Sequence, residues 1–256
     1  MTEQGTSGPL LPSFFELSAY QSLDSTSTEA RRLADLGAAE GQIVWALKQE
    51  SGVGRRGRHW SSPAGNLYCS LLLRPSCSAA EGAKLSFLIA VALYDALEQV
   101  LPPDAPISLK WPNDVLLGGR KVAGILLESK SNVAGQLEWL IVGTGVNVAT
   151  YPKKTDGLPA TCLKEAGANV SLEALLNRYA GHVLDLYRLW QEQGFAPVRD
   201  KWLMRAGGLG GPVTARLGGQ EFKGIFKEID PDGALVLVLA DGSIKRVTAG
   251  EVFYNP

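Results

Sequence analysis

Gly52-Val53-Gly54-Arg55-Arg56-Gly57-Arg58-His59-Trp60 gathers three glycines and three arginines into nine residues just behind an apolar run. In that run Ile43, Trp45 and Leu47 alternate with Val44 and Ala46, the pattern of a buried strand, so the glycine-rich segment sits at a strand end. Glycines let backbone N–H groups approach an anion closely, and guanidinium groups match phosphate or carboxylate oxygens with paired donors. An arginine in a surface pair contributes ~0–1 kcal/mol, whereas an anion about 4 Å away in a partly shielded site gains ~4 kcal/mol per charge before desolvation is set against it. A triphosphate would justify such a cluster, and a solvated basic turn is the other reading of the segment by itself. The Gly-x-x-x-x-Gly-Lys-Ser/Thr spacing of a Walker loop is absent.

Outward from this loop the chain reads as an α/β protein with a mixed central sheet. Phe14 to Tyr20 is a strand, and Thr26 with Glu29 three residues on reads as a capping box opening a helix through Ala30, Leu33 and Ala34 to Gly37. Asn66 to Arg74 is a further strand. Glu81 to Leu101 reads as one long helix with Leu85, Leu88, Ala92, Leu93, Ala96 and Leu97 toward the sheet. Val115–Leu117 and Lys121–Glu128 flank a tight Gly118-Gly119 turn, and another strand covers Leu137 to Val148. From Ala149 to Ala168 periodicity disappears, which marks a candidate lid. Ser171 caps an amphipathic helix whose stripe runs Leu172, Leu175, Leu176, Tyr179, Val183, Leu186 and Trp190 and stops at Gly194. After Gly207, Gly208, Gly210 and Gly211 the pattern becomes short strands separated by glycine turns. The expected organisation is a tail over 1–13, a main domain over 14–206 and a small all-β unit over 207–256.

Composition excludes several classes. Twenty-five Lys and Arg against 26 Asp and Glu give a net charge of −1, which argues against a dedicated nucleic-acid or membrane-surface binder. No run reaches about 18 uninterrupted apolar residues, and Met1 to Pro12 has no apolar core behind a basic start, so a soluble, cytoplasmic protein is expected. Cys69, Cys77 and Cys162 are odd in number with no Cys-x-x-Cys pair, which suggests neither a disulfide framework nor a zinc knuckle. There is no metal-like His/Cys/Asp cluster and no Ser-His-Asp order, so neither a bound metal nor a protein nucleophile is expected. His59 could pair a phosphate and His182 lies beside the stripe of its amphipathic helix, and the plainer reading of both is structural or solvent-facing.

Two more segments carry chemistry. Lys110-Trp111-Pro112-Asn113-Asp114 ends a strand, after which the hairpin delivers Lys121 ahead of Val122-Ala123-Gly124-Ile125-Leu126. Lys121 reads either as a solvent-facing strand-edge lysine or as a partly desolvated ammonium directed into a cleft, with Gly124 letting a ligand lie against backbone. Val142-Gly143-Thr144-Gly145-Val146-Asn147-Val148 closes a strand on small residues and one amide, a turn former or a partner for an adenine edge.

These segments in this order, preceded by Asp24-Ser25-Thr26, resemble the biotin protein ligase family from Phe14 to Pro256. The most specific pieces are Gly-x-Gly-Arg-x-Gly-Arg-x-Trp at 52–60, followed by Ser62-Pro63 and Gly65-Asn66-Leu67-Tyr68; Lys-Trp-Pro-Asn-Asp at 110–114; and Arg-Lys-Val-Ala-Gly-Ile-Leu at 120–126. The resemblance implies a catalytic domain related to class II aminoacyl-tRNA synthetases and lipoate ligases, with a C-terminal SH3-like β-barrel. It implies MgATP as co-substrate, biotin as substrate and biotinyl-adenylate as intermediate. The partner it implies is a biotin carboxyl carrier protein or domain, of acetyl-CoA carboxylase and other carboxylases. By position Ser25, Thr26, Gln49, Gly52, Val53, Gly124 and Ile125 would hold biotin. Arg55, Arg56, Arg58, Trp60, Asn113, Lys121 and Asn147 would hold ATP and the adenylate, with Lys121, Arg55 and Asp114 catalytic.

Two departures stand out. Family members commonly have Arg where this chain has Val53, which weakens the expected retention of the intermediate. Only about a dozen residues precede the expected catalytic domain, so the expectation is a ligase that is not a repressor, with no nucleic-acid or membrane partner and a monomeric or homodimeric state. The alternative on the same fold is a lipoate or octanoate ligase, against which Ser25, Thr26 and Gln49 suit a polar ureido ring better than an alkyl chain. A basic-loop nucleic-acid binder is the reading from another class, and the single short arginine cluster counts against it.

Overall fold

The computed structural model describes residues 9–155, 157–217 and 219–254. Residues 1–8 of the expected tail lie outside them, and Leu11 already packs on the core.

A seven-stranded sheet organises the larger part of the chain. Its strands are β1 (Glu16–Tyr20), β2 (Gln42–Ala46), β3 (Leu67–Leu73), β4 (Ile107–Lys110), β5 (Asp114–Leu117), β6 (Arg120–Ser131) and β7 (Leu137–Val146), in the order β1-β2-β3-β7-β6-β5-β4. Only β1 and β2 run parallel, because helix α1 (Thr26–Asp35) carries the chain back between them. The other pairs are antiparallel, and Gly118 and Gly119 both take positive φ, as a two-residue turn between β5 and β6 requires.

Both faces of the sheet are covered, which explains why β2 and β3 are buried at every residue. Ile43, Trp45, Leu71, Leu73 and Val142 join the main core beneath α3 (Leu85–Glu98), α4 (Leu172–Gln193) and α5 (Ala196–Leu203). Val44, Leu72, Trp139 and Ile141 turn the other way and meet Ala30 and Ala34 of α1. The expected stripe of α4 is the one that packs: Leu175, Leu176, Tyr179, Val183 and Leu186 are buried, at roughly 1.5–3 kcal/mol for each large apolar side chain. Ser171 caps α4 by accepting from Ala174 N, and Gly194 ends it at φ 73°.

Three local expectations changed, and one helix was not anticipated. The long helix from Glu81 to Leu101 is two helices, α2 (Ala79–Ala83) and α3, with Lys84 between them, where the backbone bonds tighten to an i,i+3 pattern: Lys84 N–H donates to Glu81 O and Phe87 N–H to Lys84 O. The capping box at Thr26 does not form. Ser25 is the N-cap, Thr26 N–H donates to Gln49 Oε1, and Glu29 is taken by Arg32 and Tyr20. Helix α5 carries no clear apolar period, since only Val198 and Trp202 are buried, and its sequence does not announce it. The 149–168 segment is strapped down over its second half: Pro159 O accepts from Lys121 N, Thr161 N donates to Lys121 O, and Ala160 to Leu163 are buried. Before Pro159, residues 152–155, 157 and 158 line the cleft.

The C-terminal unit is a five-stranded antiparallel sheet of β8 (Pro212–Leu217), β9 (Gln220–Ile229), β10 (Leu235–Leu239), β11 (Ile244–Val247) and β12 (Glu251–Tyr254), in the order β11-β10-β9-β8-β12. It docks on the main domain through Trp111 Nε1–H donating to Gly233 O at 3.0 Å, Trp202 against Phe226, and Tyr254 OH donating to Leu109 O. This seam brings β12 to the edge of the cleft.

Candidate active site

The glycine-rich segment folds as a small hairpin. Trp60 N–H donates to Gly52 O, Gly54 N–H to Arg58 O, and the tip turns through Arg56 at φ 58° and Gly57 at φ 72°. Gly52 is buried behind the hairpin, where a Cβ would stand 2.4 Å from Ser62 Oγ and 2.5 Å from Trp60 O. Arg56 is exposed at the tip. The hairpin leans over a cleft of about 1010 Å³, lined by Ser25, Thr26, Gln49, Val53, Arg55, Arg58, Trp60, Asn113, Asp114, Lys121, Gly124, Ile125 and Asn147. Gly52 and Arg56 are the two expected site residues that do not line it.

The cleft bottoms on bare backbone. Gly124 of β6 and Gly145 of β7 face each other across the strand pair, and the Trp60 indole lies on both: a Cβ at Gly145 would stand 2.6 Å from Trp60 Nε1, and one at Gly124 3.2 Å from Trp60 Cζ3. Beside them Gly143 carries Ser27 of α1, whose Oγ would be 2.7 Å from an added Cβ. Glycines at these cross-strand positions thus let an aromatic ring and a helix start approach the sheet.

One wall is charged. Asp114 is clasped by Lys121 at 2.5 Å on Oδ1 and by Lys110 at 3.6 Å on Oδ2. Burial pushes the Asp114 carboxyl up, but the two ammoniums and the Arg55 guanidinium outweigh it and hold the group below its ordinary value. Burial draws the Lys110 ammonium down against the pull of Asp114, and burial also lowers Arg55. Arg55 donates to Asn113 Oδ1 at 3.0 Å while Asn113 Nδ2–H donates to Ile125 O, so the arginine is stitched to β6. Lys121 also lies 5.3 Å from the Trp60 ring centre, a cation–π distance. Of the two sequence readings of Lys121, the ammonium in the cleft is the one the fold adopts.

Other lining residues are neutral and hydrogen-bonded. Gln49 Oε1 accepts from Thr26 N and Thr26 Oγ1, and Gln49 Nε2 donates to Ser62 Oγ at 2.9 Å. Asn147 is buried and donates to Thr161 O.

Several contributors were not legible as site residues. Lys110 reads in sequence only as part of a strand end. Gly250, Glu251 and Phe253 line the cleft from the C-terminal unit, and Glu251 pairs with Arg58 at 2.6 Å. Asn66 organises the chain leaving β7: its Oδ1 accepts from Val148, Ala149 and Thr150 N–H, and its Nδ2 donates to Thr150 O. No local pattern signals these contacts, although the Gly65-Asn66-Leu67-Tyr68 run did mark Asn66 as part of a recurring motif. Outside the cleft Cys69 is buried, with its thiol pushed up to about 12, and His182 meets Gln99 on the surface.

Comparison with known proteins matches residues 19–147 to the Biotin/lipoate A/B protein ligase family and residues 208–254 to the Biotin protein ligase C terminal domain. The chain is 44% identical to a biotin--[acetyl-CoA-carboxylase] ligase of Paracoccus denitrificans, covering 91% of this chain and 98% of that one. It is 32% identical to the bifunctional ligase/repressor BirA of Bacillus subtilis, over 90% of this chain and 71% of that one. A biotin protein ligase from Aquifex aeolicus in complex with biotin and ATP superposes with a TM-score of 0.80 at 28% identity, covering 94% of this chain and 99% of that one.

Proposed function

Because the chain belongs to the biotin/lipoate A/B protein ligase family, we propose that its cleft activates biotin with ATP as biotinyl-5'-AMP and passes the acyl group to a lysine of a biotin carboxyl carrier protein or domain. It is an ATP-dependent biotin–protein ligase, and its partner is the carrier of a carboxylase. The observation that carries the residue-level reading is a neutral hydrogen-bonding region, Thr26 and Gln49, in one cleft with a cationic wall, Arg55, Lys110 and Lys121.

In this reading biotin's ureido ring lies on Ser25, Thr26 and Gln49, beside Val53, Gly124 and Ile125, with Gly52 behind. Its carboxylate oxygen attacks the α-phosphorus of ATP, the bond from that phosphorus to the bridging oxygen breaks, and pyrophosphate leaves. Two anions must meet, so the barrier is largely electrostatic and entropic, and positioned cations lower it without a protein nucleophile. Lys121, Arg55 and Arg58 supply that charge, Asn113 holds Arg55 in place, and Trp60 and Asn147 flank the adenine. Arg56, at the exposed tip, meets only phosphate that projects beyond the cleft wall. Among the described residues no group of three or more His, Cys, Asp or Glu is placed to hold a metal ion, so magnesium is read as part of the nucleotide substrate, ligated by its phosphates.

In the second step the neutral acceptor amine attacks the acyl carbon, the bond to the AMP oxygen breaks so that AMP leaves, and the proton the amine sheds passes to solvent water. An Asp114 held ionised by its neighbours is a weak base, so its part is to orient the incoming amine and offset its developing positive charge.

The proposal extends to domain limits at 14–206 and 207–256, supported by the Leu109–Ala206 bridge that precedes the glycine run. It also extends to a cytoplasmic monomer or homodimer acting without nucleic acid. Among the described residues no helix is long and apolar enough to cross a membrane. The lipoate alternative fits less well, because Gln49 and Thr26 would be left facing an alkyl chain.

Pyrophosphate exchange into ATP, measured with biotin, lipoate or no acid, tests the reading. Biotin-dependent exchange is expected, and exchange driven by lipoate but indifferent to biotin would sink it. Lys121→Ala should abolish exchange with circular dichroism unchanged, and a fully active variant would remove Lys121 from the machinery.

A further inference from the structure

The neutral region of the cleft is the exposed end of a hydrogen-bond chain whose direction can be worked out atom by atom. Thr26 N–H can only donate, so the Gln49 atom 2.8 Å away is the amide oxygen, which fixes the orientation of that side chain. The same oxygen takes the Thr26 hydroxyl proton at 3.1 Å. With its proton committed, Thr26 Oγ1 must accept from Ser70 Oγ at 2.8 Å, and Ser70, its own proton now spent, must accept from Ser27 Oγ at 3.1 Å. On the other side Gln49 Nε2 donates to Ser62 Oγ, and Ser62 donates to Trp60 O.

Every hydroxyl proton in Ser27, Ser70, Thr26 and Ser62 is therefore committed. What remains to meet a ligand is one N–H of Gln49 and lone pairs on Thr26 and Ser27, together with the Ser25 hydroxyl, which makes no capping bond. One fixed donor beside fixed acceptors is the complement of a cyclic urea, which offers a carbonyl oxygen flanked by N–H groups.

We propose that Ser70 and Ser62, which themselves do not line the cleft, are positioning residues that lock the donor and acceptor polarity of this region and so set its selectivity for a ureido ring. Ser70 has no exposed surface and Ser62 almost none. Ser70 lies opposite Gly143 in the β3–β7 register, and the bare Gly143 admits Ser27 to the row. Without Ser70 the Ser27 hydroxyl loses its acceptor and is free to turn its proton toward the cleft, and without Ser62 the Gln49 amide loses its hold.

The inference rests on the biotin reading above, and the two can fail separately. Steady-state exchange would be measured for the unaltered chain, Ser70→Ala and Ser62→Ala, with biotin and with its guanidine analogue 2-iminobiotin, which replaces the carbonyl acceptor by a donor. The expected result is a KM for biotin raised about ten-fold, the size of one lost buried hydrogen bond, with KM for ATP within two-fold and a narrowed preference for biotin over the analogue. A KM for biotin within two-fold of the unaltered chain in both variants, or KM values for biotin and ATP rising together, would overturn it. If Ser70→Ala fails to fold, Ser62→Ala decides by the same criteria. An unaltered chain indifferent to biotin would instead strike the proposed function.

Discussion

Asp114 shows how single residues hold this site together. Its carboxyl sits below the ordinary value because Lys121, Lys110 and Arg55 outweigh the cost of burial. A carboxyl depressed in the folded state contributes stability that is fully present above its unfolded value near 3.8 and is lost as pH falls through the folded value. Thermal melts at neutral pH and near pH 3 should show Asp114→Asn less stable at neutral pH, where the buried Lys110 and the half-buried Lys121 lose their counter-charge, and less sensitive to acid than the unaltered chain. An undiminished acid dependence would remove Asp114 from that linkage. Arg55 gives a second prediction at the same scale. Its bond to Asn113 fastens the hairpin to β6, so Arg55→Gly should loosen the cover over the adenylate and biotinylate lysines on bystander proteins. Labelling confined to the carrier would count against the hairpin as a seal. Val53 is 47% exposed and lines the cleft, so a charged side chain at this position would face solvent and cleft together.

Among the elements, α4 behaves as its sequence says, because both its cap and its stripe are local. Ser171→Ala should remove the bond to Ala174 N and cost about 1 kcal/mol, lowering Tm by about 2–4 °C. Exchange activity should be unchanged, since Ser171 lies outside the cleft. Helix α1 obeys a different logic. Thr26 and Glu29 have the spacing of a capping box, yet a tertiary partner, Gln49, captures Thr26 first. The helix expected from Glu81 to Leu101 divides at Lys84, where the backbone bonds tighten to i,i+3 before the chain re-enters helix at Leu85. Elements were legible wherever their signals lay within a turn or two of chain, and the capping box of α1 was lost because a distant side chain offered Thr26 a better bond.

At the scale of the molecule the seam between the two units decides the shape of the site, because β12 brings Glu251 and Phe253 to the cleft. Gly233 sits in that seam at φ 83°, where a Cβ would stand 2.8 Å from Phe87, and its carbonyl accepts from Trp111. Gly233→Ala should cost about 1–3 kcal/mol from backbone strain and overpacking together, whereas Gly242→Ala, at φ 81° with nothing nearby, incurs only the first. Denaturant titration should rank Gly233→Ala clearly below Gly242→Ala, and equal losses would show that the Phe87 contact contributes nothing. By itself the sequence determined the α/β class, the position of most strands along the chain and the small β unit, because glycine turns, apolar runs and a serine cap act between neighbours in the chain. Tertiary structure decided what the site residues face. Gly124 meets Gly145 only across a strand register, Ser70 reaches Thr26 over a separation of 44 residues, and Trp111 reaches Gly233 over one of 122. Contacts at that range exist only once the sheet has paired, and so the polarity of the binding region, the clasp on Asp114 and the share of the C-terminal unit in the cleft belong to the fold.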